Sequence, residues 1–554
     1  MSTGKTHKRY FIIVAAFLLI AAIVIAMLVG GRAQRIQSEI DLGMQYLEKL
    51  EYISARFAFE GVLEIDANNV DAYLGLAEIE YQLGMPEDAF AIIEQALTVV
   101  SDIRLEEARI FYADAIPQPD DVIHLDNEVL ESVLLYTLGK PDGELLQADL
   151  DRVSEIDCLG YRYPQVSVNF EDGLFVDYFI GYDANGKITN DSDAIVTPIE
   201  LMFDASIARF AEHCRNAKLT LDMVKLDYET LQILPRVRGL VSLTVYDTIA
   251  DLSLLHIMRR LESITFFCTE TTDYTSMFRK GALPSLVSIN IIEEGLPDEN
   301  GELEFPTIDL TGIDALPSIQ YIYIESASSV IGLEDAAALP NLTDLCLRVD
   351  TIDLKQLTEA VHLKTLRING CGETILDTTA LSGMTKLEHF FFYGCQLTDP
   401  TALAPLVSLK KLDLSNLGLT DISFLSGMTQ MEYLNLNDNF IADISALANM
   451  SKLLHLEMNN NQIVDVTPLS EKPQLNELRM ENNRITQLSG ITGLTKLTYL
   501  LMYGNPVTTI EAVRDMPVLY DLRVDEALIS DWSPADHVQH INTNNDYWGG
   551  TIWK

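Results

Sequence analysis

The sequence predicts an α/β solenoid preceded by an all-α array of helical hairpins and a single transmembrane helix. Three observations carry this reading. Apolar positions recur every 22 residues, with Leu387, Leu409, Met431, Leu453, Leu475, Leu497 and Leu519 opening successive copies. A second period, of 34 residues, runs through Ile36 to Asp102. Phe11 to Val29, FIIVAAFLLIAAIVIAMLV, is a 19-residue run without a charge.

As a helix rising about 1.5 Å per residue, the apolar run nearly spans a hydrocarbon core of about 30 Å, and it exceeds the roughly 7 to 15 apolar residues of a secretory signal. Residues 10–31 therefore read as a membrane helix behind a cytoplasmic stretch at 1–9. Lys5, Lys8 and Arg9 precede the run and Arg32 and Arg35 follow it. That excess of positive charge puts the N-terminus in the cytoplasm and the bulk of the chain outside it. A cleaved signal is the rival reading, because Gly31-Arg32-Ala33 has the small-x-small form.

In residues 36–116, Leu42-Gly43, Tyr46, Ala55, Phe59 and Val62 return as Leu76-Ala77, Glu80, Ala89, Ile93 and Ala96. Small residues at this period let paired antiparallel helices cross closely, and the pattern resembles tetratricopeptide repeats. Glu80 departs from the expected Tyr, and Leu105 to Ala115 reads as a closing helix. Residues 117–216 form a linker, the solenoid entry and an irregular region. PQPDD at Pro117 to Asp121 marks a hinge, and FVDYFIGYDANGKIT has the alternation and Asn-Gly turn of a hairpin.

From 217 to 535 the copies follow Leu-x-x-Leu-x-Leu-x-x-Asn-x-Ile, as in Leu453, Leu456, Met458, Asn461 and Ile463. One short strand per copy buries alternate side chains, the chain bends, and stacking closes a core that no single turn could bury. Asn439, Asn461, Asn483 and Asn505 sit in the bend, where a side-chain amide satisfies backbone groups that would otherwise be buried and unpaired. Upstream the register loosens, with strand openings at Leu363, Leu342, Ile319, Leu286, Leu261 and Leu240. Residues 536–554 break the pattern, and Trp548 and Trp553 are placed to cover the last turn. The repeats resemble internalin-type leucine-rich repeats of bacterial surface proteins, with Asp443-Ile444 and Asp465-Val466 following the Asn-x-Ile. Leu417, Cys395 and Cys371 stand where that pattern has Asn. The resemblance implies a horseshoe-shaped scaffold for protein recognition.

The composition, 48% hydrophobic with a net charge of −44, is that of a folded chain whose surface repels nucleic acid. Gly181 to Lys187 imitates a phosphate loop, but Ile188 replaces the magnesium-binding Ser or Thr and no helix follows, so the hairpin reading prevails. Pro141 to Asp149 imitates half of a calcium loop, with Leu138 and Lys140 in ligand places. Cys158, Cys214, Cys268, Cys346, Cys371 and Cys395 show no Cys-x-x-Cys spacing, and His537 and His540 lack a third ligand. No catalytic, cofactor-binding or metal-binding residue is assigned.

What remains is the strand face. Its non-core columns contain Phe391, Tyr393, Tyr433, His455, Arg479, Tyr499, Leu501, Tyr503 and Arg523, aromatic and arginine types that carry binding energy at interface centres. The function predicted is a membrane-anchored, non-catalytic scaffold that holds a protein or peptide ligand on the concave strands. One alternative places recognition on the helical repeats with the solenoid as spacer, and a remote one hides an enzyme in 161–216.

Overall fold

The computed structural model describes residues 32–49, 51–125, 128–159, 165–179, 181–182, 188–189, 210–224, 237, 239–246, 252–268, 272–293, 296–297, 303–370, 375–393, 396–489, 491–525, 528–543 and 551–553. Among them no helix is long and apolar enough to cross a membrane; the run Phe11 to Val29 lies outside them. The chain divides into two compact units, one of 1–220 with 226–240 and 254–258, the other of 221–225, 241–253 and 259–554.

In the first unit, α1 (32–48), α2 (Tyr52–Ile65), α3 (Val70–Gln82), α4 (Pro86–Val99) and α5 (Ile103–Ala115) form two hairpins and a half. Asn69 and Asp102 cap α3 and α5 by accepting from Ala72 N (3.0 Å) and Arg104 N (2.9 Å). Phe59 explains the small residues: a Cβ built on Gly43 or Gly75 would lie 2.8 or 2.4 Å from its ring. Glu80 breaks the repeat because it is buried against Arg56, at 2.6 Å. The PQPDD stretch is bonded on both sides. Arg215 donates to Pro117 O (3.0 Å), Glu87 (3.1 Å) and Asp151, and Ala148 N donates to Pro119 O (3.0 Å). After α6 (Glu128–Thr137) and α7 (Gln147–Leu150), β1 (Val153–Leu159), β2 (Gln165–Phe170) and β3 (Phe175–Phe179) pair as an antiparallel meander. Gly181-Tyr182 pairs antiparallel with Ile188-Thr189, the hairpin expected there, while its loop 183–187 lies outside the described residues.

The second unit is a stack of parallel strands. Ser263–Cys268, Ser288–Glu293, Tyr321–Ala327, Asp344–Val349, Thr365–Asn369 and His389–Tyr393 pair in unbroken succession. Three-residue strands from Lys411–Asp413 to His540–Asn542 continue the stack, and Thr551–Trp553 closes it by pairing antiparallel with the last. Each turn buries its alternate residues, Leu434, Leu456, Leu478, Leu500 and Leu522 all being 0% exposed. The asparagine column is wired as expected: Asn461 donates to Leu436 O (2.8 Å), Met458 O (3.2 Å) and Asn459 O (3.1 Å), and accepts from Ile441 N (3.0 Å). The Asp of each Asp-Ile caps the short 3-10 turn that follows, as Asp443 does by accepting from Ser445 N (2.8 Å).

Candidate functional site

Strand alternation places the candidate residues. In Tyr433–Asn435, His455–Glu457, Glu477–Arg479 and Asp521–Arg523 the middle residue is buried and its two neighbours are partly exposed on the opposite face. Parallel register then lines up Tyr433, His455, Glu477, Tyr499, Asp521 and His540 in one column, and Asn435, Glu457, Arg479, Leu501, Arg523 and Asn542 in the next. The Tyr433 and His455 rings lie 6.4 Å apart, and the Tyr433 hydroxyl donates to Glu457 (3.5 Å). Tyr499, 37% exposed, meets Tyr520 edge-on at 6.4 Å.

The two arginines are committed within the face. Arg479 Nε donates to Glu477 (2.5 Å), which also meets His455 Nδ1 (3.3 Å), and Arg523 Nη2 donates to Asp521 (3.0 Å). Glu481, beside them, is half-buried, and that burial raises its pKa despite the nearby guanidinium groups. Leu501 and Tyr503 correct the expectation of open contacts, being only 6% and 5% exposed. Leu501 stands in register between Arg479 and Arg523. Burial likewise pushes the Tyr503 hydroxyl up to about 12. Tyr393 lies in register with Asn369; Phe391 is half-buried, with its ring stacked 6.4 Å from His389. Among the candidates whose side chains are described, Phe391, Tyr433, His455 and Tyr499 are thus the aromatic ones that keep surface.

Four residues of the same face escaped the sequence reading: Tyr321, Tyr323, Arg367 and, as a site residue, Lys411. Tyr321 and Tyr323 precede Asp344 and Cys346 in the two columns, and Arg367 precedes Phe391. Counting from the openings at Ile319 and Leu363 would have found them, since they fill the third and fifth places of their turns.

The other chemical signatures are occupied structurally. Asp149 of the calcium-loop imitation accepts from Lys140 Nζ (2.7 Å) and Leu146 N (2.9 Å). His537 Nε2 meets Met516 O at 2.9 Å, while the His540 ring lies 4.4 Å from Tyr520. Cys158, Cys214 and Cys346 are buried thiols outside any disulfide; Cys371 and Cys395 lie outside the described residues.

A leucine-rich repeat family model matches residues 407–449 and 429–471, and a tetratricopeptide repeat model matches 47–117. No curated protein matches the sequence. Similar solved structures include an internalin (inlF) from Listeria monocytogenes, 21% identical over 74% of this chain and 98% of that one, with a TM-score of 0.42. A leucine-rich repeat protein of Leptospira interrogans is 18% identical over 62% of this chain and 92% of its own, with a TM-score of 0.47. The functional domain of InlJ from Listeria monocytogenes is 16% identical over 76% and 79%, with a TM-score of 0.40. The chain therefore carries leucine-rich repeats preceded by a tetratricopeptide-like helical array.

Proposed function

We propose that this chain is a membrane-anchored, non-catalytic scaffold that holds a protein ligand on the concave strand face of its leucine-rich repeats, outside the cytoplasm. The observation that carries the reading is the unbroken register of half-exposed side chains in which Phe391, Tyr433, His455 and Tyr499 keep surface beside polar neighbours. Rigid aromatics on a regular sheet contribute contact area at little entropic cost, which is what an interface centre requires. The 19-residue apolar run supports the anchor, and the charge asymmetry around it supports the orientation.

One experiment tests both parts. A membrane-impermeant crosslinker applied to intact cells captures a partner with the natural chain, and capture falls at least about tenfold with a Tyr433→Ala/Tyr499→Ala variant of unchanged melting temperature. Capture that is indifferent to these two changes but lost on deleting Ile36 to Ile116 moves recognition to the helical array. Reaction only after cells are opened overturns the orientation.

A further inference from the structure

Three of the arginines on the concave face hold carboxylates of their own or a neighbouring strand: Arg348 donates to Glu325 (2.8 Å), Arg479 to Glu477 (2.5 Å) and Arg523 to Asp521 (3.0 Å). Arg367 does not. It is exposed, with its guanidinium carbon 5.1 Å from the centre of the Phe391 ring, and it holds no carboxylate among the described residues. Nearby acids are already engaged. Asp344 accepts from the Thr343 hydroxyl (2.7 Å); Asp413 accepts from Ser415 N (2.9 Å), Ser415 Oγ (2.6 Å) and Asn435 Nδ2 (3.0 Å); Glu325 takes Arg348 and the Tyr323 hydroxyl. Lys411, two strands along and exposed, also holds no carboxylate among the described residues.

The titratable groups in register with these two cations are held toward their neutral forms. His389 pairs in register with Lys411, and burial, reinforced by that ammonium, lowers its pKa. Cys346 pairs in register with Arg367, and burial raises its thiol above the ordinary range. Two positive charges thus stand open on the face of a chain whose net charge is −44.

We propose that Arg367 and Lys411 form a carboxylate-binding subsite on the concave face, taking two acidic side chains of an extended segment of the protein ligand. The proposal rests on the concave-face reading above. A guanidinium lying on an aromatic ring keeps its in-plane N–H groups free, and that planar fork matches a carboxylate. The two cations are two strands apart and offset by two residues along the strands, about 12 Å in all, a span matched by residues about four apart in an extended chain, whose side chains fall on one face. Separated single charges fit two monoanions better than one phosphate dianion, whose second charge the surrounding acids repel. Phe391, Tyr321 and Tyr323 supply the adjoining apolar wall.

The test uses the full chain in nonionic detergent and fluorescein-labelled ten-residue peptides with two Glu residues four positions apart, the same peptide with Gln, and the same with phosphoserine. Anisotropy is expected to show the Glu peptide binding about tenfold more tightly than the Gln peptide, and weakening with salt. Arg367→Ala and Lys411→Ala should each lower that affinity about tenfold, Arg367→Lys should lower it less, and Arg514→Ala, an exposed 3-10-turn control, should leave it within about twofold. Equal binding of Glu and Gln peptides, indifference to Arg367→Ala, or tighter binding of the phosphoserine peptide overturns the assignment. If the subsite fails here while Tyr433→Ala/Tyr499→Ala still abolishes capture, the concave-face reading stands without it. If the Glu peptide binds through Arg367 but capture ignores those tyrosines, the subsite stands and the aromatic centre falls.

Discussion

At the scale of single residues, polar groups enter this core under sharply different terms. Asn461 is 7% exposed and fully bonded, whereas Lys472 is 0% exposed in a column otherwise filled by Met428, Met450, Leu494 and Met516. The Lys472 amine donates to Ala448 O (3.0 Å), and burial lowers its pKa. Glu293 poses the same problem with the opposite charge. Its carboxyl is 4% exposed, accepts from the Tyr274 hydroxyl (2.9 Å), and is raised above its ordinary 4.5 by burial, which that bond only partly offsets. A carboxyl whose folded pKa is raised stabilises the fold below its unfolded pKa and loses that contribution as pH rises through the folded value. Glu293→Gln keeps an acceptor for Tyr274 and removes the charge. At pH 7 it should raise the melting temperature by roughly 2 °C, the shift of about 1 kcal/mol in a unit of this size, and the gain should vanish at pH 4. Calorimetry at both pH values checks this; a loss at pH 7 would mean that the ionised form is what the site holds.

At the scale of elements, Phe59 fixes how the first two helical hairpins cross. It is 0% exposed and faces Gly43 on one side and Gly75 on the other, so neither flank can yield to a new methyl group. Gly75→Ala should cost about 1–3 kcal/mol by overpacking. Hydrogen exchange over Tyr52–Ile65 and Val70–Gln82 should speed up accordingly, while exchange in the leucine-rich turns stays unchanged. Unaltered protection in α2 and α3 would show that the ring has room to move. These crossings were legible in the sequence because small residues recur at a fixed period, and the solenoid was legible because every turn repeats the same burial task. The exceptions depended on partners that no local pattern contains. Glu80 makes sense only with Arg56, 24 residues earlier. Leu501 and Tyr503 occupy outward-facing places, yet the side chains around them decide that they are covered. Arg367 went unnoticed because insertions upstream blur the phase, although its strand keeps the register of its neighbours.

At the scale of the molecule, local and long-range electrostatics oppose each other. Asp377, Asp399, Asp421, Asp443 and Asp465 cap the 3-10 turns of successive repeats, accepting from backbone N–H groups two residues on at 3.2, 2.9, 2.8, 2.8 and 2.9 Å. Those bonds hold the Asp377 and Asp443 carboxyls below their ordinary pKa, so at these two caps the charged form is favoured locally. Stacking turns, however, spaces these carboxylates about 5 Å apart along the solenoid, within a chain of net charge −44. Hydrogen bonds of the caps are short-ranged and survive salt, whereas the mutual repulsion acts over a Debye length of about 10 Å at 0.1 M and is screened above it. Salt should therefore remove the cost and leave the benefit. Raising sodium chloride from 20 to 300 mM should increase the melting temperature of the leucine-rich unit by roughly 3–5 °C, with most of the change below about 150 mM, where screening of exposed charges is incomplete. Chloride is the right anion, because sulfate would also strengthen apolar burial and blur the cause. A melting temperature that is flat or falls with salt would mean that attraction between opposite charges, such as Arg348 with Glu325 and Lys410 with Glu388, outweighs the repulsion among the caps.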